Sequence, residues 1–325
     1  MNEPSASSRS AAPDVSIMIV GYNSANVIDR CVASIAPACT GHSYETLLVD
    51  QGDGQTAALV AARFPEVAII PSRGNIGFAA GNNLLAAAAR GKYLLLLNPD
   101  VELTFEAVDR LLEAAGRHSE ASAWGGITLD RSGAPDVGNT VHVPSLGEMV
   151  SRVTGRSSAG LRAGARFDTD ERAEVLSGGF VLISRSAWDE AGGLDERYFL
   201  YCEEVDFFYR LAQRGHSFWR IADARAYHDI GHGEVGSPMR MLYRAAGTMQ
   251  FARIHWPRWR ETAAFLLIWI GALQRYGIGT LLGRWRAHFR AIALSNRQLA
   301  LRPDVWRHGY DPQRGLLAKL AQKPV

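Results

Sequence analysis

Cysteine is scarce. Cys31, Cys39 and Cys202 form an odd set without C-x-x-C spacing, which excludes a disulfide framework and a thiolate zinc site and fits a reducing cytosol. An apolar leader is missing too: "MNEPSASSRSAAPD" is polar and rich in Ser and Ala, which argues against secretion and for a disordered tail over residues 1–14. Long hydrophobic runs are lacking. The most apolar, "AAFLLIWIGAL" (Ala263 to Leu273), has 11 residues and stops at Gln274-Arg275, short of the roughly 20 needed to span a bilayer. That leaves an interfacial segment or a piece of core. No strand is followed by G-x-G-x-x-G, so the dinucleotide fingerprint is absent. Internal repeats are absent as well.

The composition that remains, 47% apolar and 21% charged, is that of a globular protein. Its charge is uneven. Residues 1–239 carry 20 Lys and Arg against 30 Asp and Glu, whereas residues 240–325 carry 15 against 3. A basic C-terminal segment suits an anionic partner, or is simply a solvated basic helix face.

Periodicity gives the fold class. "VSIMIVGYN", "YETLLVDQGDG", "VAII" and "KYLLLLN" read as buried strands. Between them lie helices: "SANVIDRCVASI" with Ser24 as cap, "TAALVAARF", and "GFAAGNNLLAAAARG" closed by Gly91. Strands alternating with helices imply parallel pairing, because each crossover returns through a helix. A helix opened by Thr104 and a strand over "SAWGGITLD" follow. The stretch from Arg131 to Arg172 is irregular and reads as a mobile loop. "VLSGGFVLISRSAWDEAGG", "EEVDFFYRLAQRG" and "HSFWRIADARAYH" then supply strand, helix, helix and strand, and beyond Met239 the pattern is helical, with Trp and Arg interspersed.

Ligands of open α/β sheets bind beyond the carboxyl ends of the strands. Those ends carry Asn23, Asp50, Arg73-Gly74-Asn75 and Asn98-Pro99-Asp100. A second polar cluster is "YFLYCEEVDFFYR", where Glu203, Glu204 and Asp206 sit among six aromatics. Rings that exclude water raise a carboxyl pKa and favour a proton acceptor, although acids at a helix N-terminus also offset its dipole without any catalysis. Asp206, with Arg210 four residues on, is the structural member of the three. His228 ends a strand, and "HDIGHGE" adds His232 and Glu234 in a glycine-bearing loop. One imidazole, a hard carboxylate and a diphosphate would together suit Mg²⁺ or Mn²⁺.

In combination, "VSIMIVGYN", "LLVDQGDG", "NIGFAAGNN", "YLLLLNPDV", "LSGGFVLISRSAWDEAGGLDERYFLYCEEVDFFYRLAQRG" and "ADARAYH" resemble family 2 glycosyltransferases of the GT-A fold, in particular their rhamnosyltransferase-like branch. The resemblance covers roughly residues 15–234. It implies an α/β fold with a mostly parallel central sheet flanked by helices and a C-terminal helical extension. The domains would be a tail over 1–14, a catalytic domain over 15–239 and a basic helical region over 240–325. It implies that Gly21, Asn23 and Asp50 hold the nucleotide, that Asn75, Gly77 and Asn82 surround ribose and diphosphate, and that Asp100 with His228 holds Mg²⁺ or Mn²⁺. Gly178 and Gly179 would shape the acceptor pocket and Glu204, preceded by Glu203, would be the catalytic base. Two positions depart from the pattern: Asn98 replaces the first acid of the family's D-x-D motif, in the N-P-D form that the branch usually shows, and Glu204 stands where the branch usually has Asp.

The implied activity is an inverting, metal-dependent transfer of a sugar, rhamnose from deoxythymidine diphosphate rhamnose being the favoured donor, to a hydroxyl of a cell-surface glycan or lipid-linked acceptor. The expected place is cytoplasmic, on the inner face of the membrane where the basic region meets an anionic leaflet; a helical cap or a homo-oligomer contact is the competing use of that region. Nucleic acid is not an expected partner, since no binding motif accompanies the basic charge. A nucleotidyltransferase would need a Gly- and Lys/Arg-rich triphosphate loop, which "GYNSANVIDR" does not offer. A non-catalytic nucleotide-sugar-binding protein stays open on Asn98 and Glu204.

Overall fold

Successive side chains of a strand face opposite sides, so four leucines in a row demand cover on both faces of the sheet. The computed structural model, which describes residues 12–155, 167–228 and 237–310, meets that demand. Leu94 and Leu96 enter one buried core and Leu95 and Leu97 another.

The chain runs β1 (Val15–Gly21), α1 (Ile28–Ala33), α2 (Ile35–Ala38), β2 (Tyr44–Asp50), α3 (Gln55–Arg63), β3 (Ala68–Ile69), α4 (Phe78–Ala88), β4 (Tyr93–Leu97), β5 (Val101–Leu103), α5 (Ala107–Arg117) and β6 (Ala123–Leu129). After a short turn at Val137–Asn139 come α6 (Leu146–Val153), β7 (Glu171–Ala173), β8 (Phe180–Ser184), α7 (Arg185–Ala191), α8 (Glu203–Ala212) and β9 (Phe218–His228). Four helices follow: α9 (Pro238–His255), α10 (Arg258–Leu282), α11 (Ala287–Leu301) and α12 (Pro303–Trp306).

The sheet order is β3-β2-β1-β4-β8-β6-β9-β5, with β7 also on β9. The first four strands pair in parallel, as helical crossovers require, while β8 inserts antiparallel between β4 and β6. The short β5 turns back antiparallel along β9, so that Val101 lies opposite His228. That register carries the acid after β4 to the histidine at the end of β9.

The C-terminal helices share the core of the sheet. Leu242, Met249, Phe251 and Trp306 join the same buried cluster as Leu94, Leu96 and Val205. The segment "AAFLLIWIGAL" is not bounded where its sequence suggests: it lies inside the 25-residue α10, which by length and composition alone could cross a membrane. The polar pair at its end does not break the helix, because Arg275 donates to the Arg152 carbonyl of α6 at 3.3 Å while Gln274 faces solvent.

Several local expectations are corrected. Asp14 is not part of a tail: its carboxylate accepts from the Ser43 N–H at 2.9 Å and hydroxyl at 2.7 Å, and its carbonyl accepts from Tyr93 N–H. Residues 1–11 lie outside the described residues. Thr104 does not open α5, since its hydroxyl donates to the Arg225 carbonyl at 2.8 Å and the helix starts after Glu106, whose φ of 58° is left-handed. Nor does Ser24 cap α1; its hydroxyl accepts from Tyr22 N–H at 3.2 Å, and Val27 occupies the N-cap. Helix α4 ends at Ala88, ahead of Gly91. Gly91 instead packs on β1, where a Cβ would sit 2.5 Å from the Ser16 nitrogen. The stretch from Arg131 to Arg172 contains α6 and the start of β7, while residues 156–166 of it, like His232 and Glu234, lie outside the described residues.

Candidate active site

The turn after β4 is held from two sides. Asn98 N–H donates to the Gly179 carbonyl at 2.9 Å, and the Asn98 carbonyl accepts from Val101 N–H at 3.1 Å and from the Cys31 thiol at 3.4 Å. Asn98 is thus a structural joint between β4 and the segment leading into β8. Asp100, next but one, is half-buried with its Oδ1 3.4 Å from His228 Nε2. The other ring nitrogen, Nδ1, lies 3.3 Å from Oδ2 of the buried Asp136. Burial works to lower the His228 pKa, but the hydrogen bonds and charges of Asp100 and Asp136 outweigh it and raise it to about 9. Burial likewise opposes ionisation of Asp136. The bonds from His228, Thr128 and Gly138 prevail and hold its carboxyl below the usual range.

Once a cation displaces the Nε2 proton, an imidazole oriented on Nδ1 by a buried carboxylate and turned to a second carboxylate is a donor pair that fits a hard divalent cation. Among the described residues no three His, Cys, Asp or Glu side chains form a complete cation site. The pair therefore fits a cation that takes its remaining ligands from a substrate. A cleft of about 340 Å³ opens beside it, lined by Arg30, Cys31, Asp100, Tyr227 and His228 among others.

On the neighbouring strand ends, Asp50 is buried at the end of β2, its Oδ1 accepting from Gly52 N–H at 2.8 Å and its Oδ2 from Ala57 N–H at 3.0 Å. Gly21 ends β1 opposite Asp50. Asn23 is exposed and left-handed, with φ 52°, and packs so closely on Gly52 that a Cβ there would stand 2.5 Å from the Asn23 side-chain oxygen. The segment Asn75 to Gly77 is clamped by Gln51, which sequence reasoning missed. Its buried side chain accepts from the Ile76 and Gly77 N–H groups at 3.0 Å each and donates to the Gly77 carbonyl at 2.9 Å. Asn75 itself is exposed. Asn82, fully buried on α4, donates to the Phe78 carbonyl at 3.0 Å and so braces the helix from inside.

Glu203 and Glu204 open α8 immediately after two left-handed residues, Tyr201 with φ 68° and Cys202 with φ 73°. Such backbone costs of order 1–3 kcal/mol per residue unless its surroundings enforce it. Here they do: Tyr310 donates its hydroxyl to the Leu200 carbonyl, and α9 approaches so closely that only Gly247 fits against the Tyr201 carbonyl. Glu203 is buried and Glu204 half-buried, and one oxygen of each has no hydrogen-bond partner. Burial, and for Glu203 the charge of Glu204, push both pKa values up, Glu203 well above the carboxylate range. Asp206 faces away from this pair into a closed network, with Arg210 and His255 both at 2.7 Å.

Gly178 and Gly179 bring the two acidic regions together. A Cβ on Gly179 would lie 3.0 Å from the Asn98 amide, and one on Gly178 would lie 3.8 Å from Glu204 Cβ. The donor segment joins them, since Phe78 N–H donates to the Phe199 carbonyl at 2.8 Å and a Cβ on Gly77 would meet that same oxygen at 2.5 Å. Glu204, not Glu203, faces the glycine pair. Among the residues singled out from sequence, Asp100 and His228 meet directly, Asn98, Gly179, Gly178 and Glu204 form a contiguous line, and Asp50 stays with the β2 end. Asp136 escaped notice because nothing in "APDVGN" distinguishes it from an ordinary turn acid.

The chain matches the model of glycosyl transferase family 2 over residues 16–191. It is 31% identical over 252 residues to an N-acetylglucosaminyl-diphospho-decaprenol L-rhamnosyltransferase of Mycobacterium tuberculosis, covering 70% of this chain and 79% of that protein. It is 24% identical over 228 residues to the rhamnosyltransferase WbbL of Escherichia coli, covering 67% and 84%. In fold it is similar to a mannosyltransferase from Pyrobaculum calidifontis solved with GDP-mannose and Mn²⁺, with a TM-score of 0.56 at 13% identity over 89% of this chain and 86% of that one.

Proposed function

This chain belongs to glycosyl transferase family 2, and from that premise we propose that it is an inverting transferase moving rhamnose from deoxythymidine diphosphate rhamnose to a hydroxyl of a lipid-linked glycan. The observation that carries the reading is the line from Asp100 through Asn98 and Gly178–Gly179 to Glu204, which sets a rigid carboxylate–imidazole pair across a glycine floor from a desolvated carboxylate. Family membership and the two rhamnosyltransferase relatives support the sugar.

In the proposed reaction Glu204 takes the proton of the acceptor hydroxyl as that oxygen bonds to the anomeric carbon, and the bond to the departing diphosphate breaks on the opposite face. Single displacement inverts the centre. Asp100 and His228 would hold Mg²⁺ or Mn²⁺, which offsets charge developing on the diphosphate. Asp50 and Asn23 would bind the nucleoside end, and Asn75 to Gly77 the ribose and diphosphate through backbone held by Gln51. Gly178 and Gly179, lacking side chains, leave room for the acceptor sugar.

The helical region would seat the enzyme on an anionic cytoplasmic leaflet. Trp259, Leu266, Ile270, Leu281 and Trp285 are exposed on or beside α10, and the surrounding arginines suit acidic lipid headgroups. Thermal-shift screening of nucleotide sugars with Mn²⁺ tests the donor, because a ligand at 100 times its Kd stabilises by about 2.7 kcal/mol. Deoxythymidine diphosphate rhamnose is expected to stabilise most and to be consumed when acceptor is added. A larger shift from uridine or guanosine diphosphate sugars would overturn the donor assignment.

A further inference from the structure

Beyond Glu204 the surface changes sign. Helix α9 lies across the turn that presents the base: Gly247 touches the Tyr201 carbonyl and the Thr248 hydroxyl lies 3.9 Å from Cys202 Sγ. One turn toward its N-terminus the same face carries Arg244, whose guanidinium stands 5.9 Å from the Tyr201 ring centroid. Arg240 precedes it by four residues, so the two cations stack one turn apart. Both are exposed, and among the described residues neither is in an ion pair. Of the other arginines in the C-terminal helices, Arg253 pairs with Glu261 and Arg302 with Asp304, whereas Arg258, Arg284, Arg286, Arg290 and Arg297 are in no ion pair among the described residues; what sets Arg240 and Arg244 apart is their place beside the Tyr201 turn. Nor do the arginines neutralise the glutamates, which keep unpartnered oxygens, although the charge of Arg244 is felt at Glu204.

We infer that Arg240 and Arg244 form a phosphate-binding subsite for the acceptor, gripping a diphosphate that links the acceptor sugar to its lipid. The inference rests on the transferase reading above and extends it to the acceptor's chemical class. Geometry favours it. The attacked hydroxyl must reach Glu204, and in a sugar diphosphate the phosphates leave from another carbon of the same ring, so they emerge one sugar away from the base. Arg244 stands over the Tyr201 ring, in the turn that carries Glu204 three residues on, and Arg240 lies one helical turn further along α9. Guanidinium groups hold phosphate oxygens with short, charge-assisted bonds. The apolar exposed residues of α10 lie in the same helical region, where a lipid chain would be received.

The test uses the full chain in detergent with two short-chain acceptors carrying the same sugar, one joined to its alkyl chain through a diphosphate and one through a plain glycosidic bond. Wild type is expected to favour the diphosphate acceptor in kcat/KM. In Arg244→Gln that preference should fall about 10-fold, and in Arg240→Gln/Arg244→Gln about 100-fold, through KM of the diphosphate acceptor. Arg244→Lys should keep part of it. The thermal shift with donor and Mn²⁺ reports that each variant is folded. Equal losses on both acceptors would overturn the subsite and leave the arginines as supports of the Tyr201 turn. An unchanged preference would also overturn it. In a parallel arm, sedimentation with phosphatidylglycerol vesicles that falls in the variants while the preference stays would assign the phosphate to a lipid headgroup instead. If wild type transfers to neither acceptor, the acceptor reading itself fails and the subsite falls with it; transfer to both without preference sinks the subsite alone.

Discussion

The two acidic regions that Gly178 and Gly179 join are built in opposite ways. Around His228 every charge has a partner: Asp100 on one ring nitrogen, Asp136 on the other, and backbone and hydroxyl donors behind Asp136. At the start of α8 two glutamates share a dry pocket and each retains an oxygen with no partner. Saturation fixes geometry and holds the Asp136 carboxylate ionised, which suits a region that must present charge to a diphosphate. Deprivation raises pKa, which suits a group that must accept a proton and later release it. The strain at Tyr201 and Cys202 belongs to the second region, and the C-terminal helices hold it in place.

Breaking the deprived end gives the largest effect. Glu204→Gln keeps shape and removes the base, so turnover should fall about 10²–10⁴-fold while donor and Mn²⁺ still raise the melting temperature. Near-normal turnover in that variant would exclude Glu204 as the proton acceptor. The saturated end fails differently. Asp136→Asn leaves both proposed cation ligands in place but loosens the orientation of His228, and Mn²⁺ affinity measured with nucleoside diphosphate present should weaken roughly 10–100-fold. Unchanged affinity would reduce Asp136 to a purely structural acid.

This contrast was only half legible in the sequence. The "LLLL" run announced a strand covered on both faces, and the acid after it announced a strand-end site, because strand period and turn residues are local signals. Asp136 was not legible: it pairs with His228 across 92 positions. That pairing exists only because β6 and β9 run parallel and adjacent, which no local pattern states. The same holds for Gln51, an unremarkable residue after Asp50 until the Gly77 loop folds onto it. Tyr310 and Gly247 belong to a region whose composition suggested an appendage. Their contacts with Leu200 and Tyr201 make it the support of the base turn. Resemblance put Glu204 ahead of Glu203, but no local pattern orders the two, since one residue along a helix start turns a side chain from the interior toward the glycine pair.

That ordering gives the smallest effect and the sharpest contrast. Glu203 is the more deeply buried of the pair, and the charge of Glu204 adds to its desolvation, so of the two carboxyls Glu203 is pushed further toward its protonated form. Glu203→Gln copies the protonated form. It should therefore cost less than about tenfold in kcat/KM, the worth of roughly one hydrogen bond. The pH profile adds the sign. A base active as its carboxylate, with its pKa raised by burial, makes kcat/KM climb as pH rises through a limb above the ordinary carboxyl value of 4.5. Because the substituted amide is as neutral as the protonated native side chain, that limb should stay where it is in wild type. A limb displaced to lower pH in Glu203→Gln would mean that Glu203 is charged during the reaction, and the division of labour between the two glutamates would have to be redrawn.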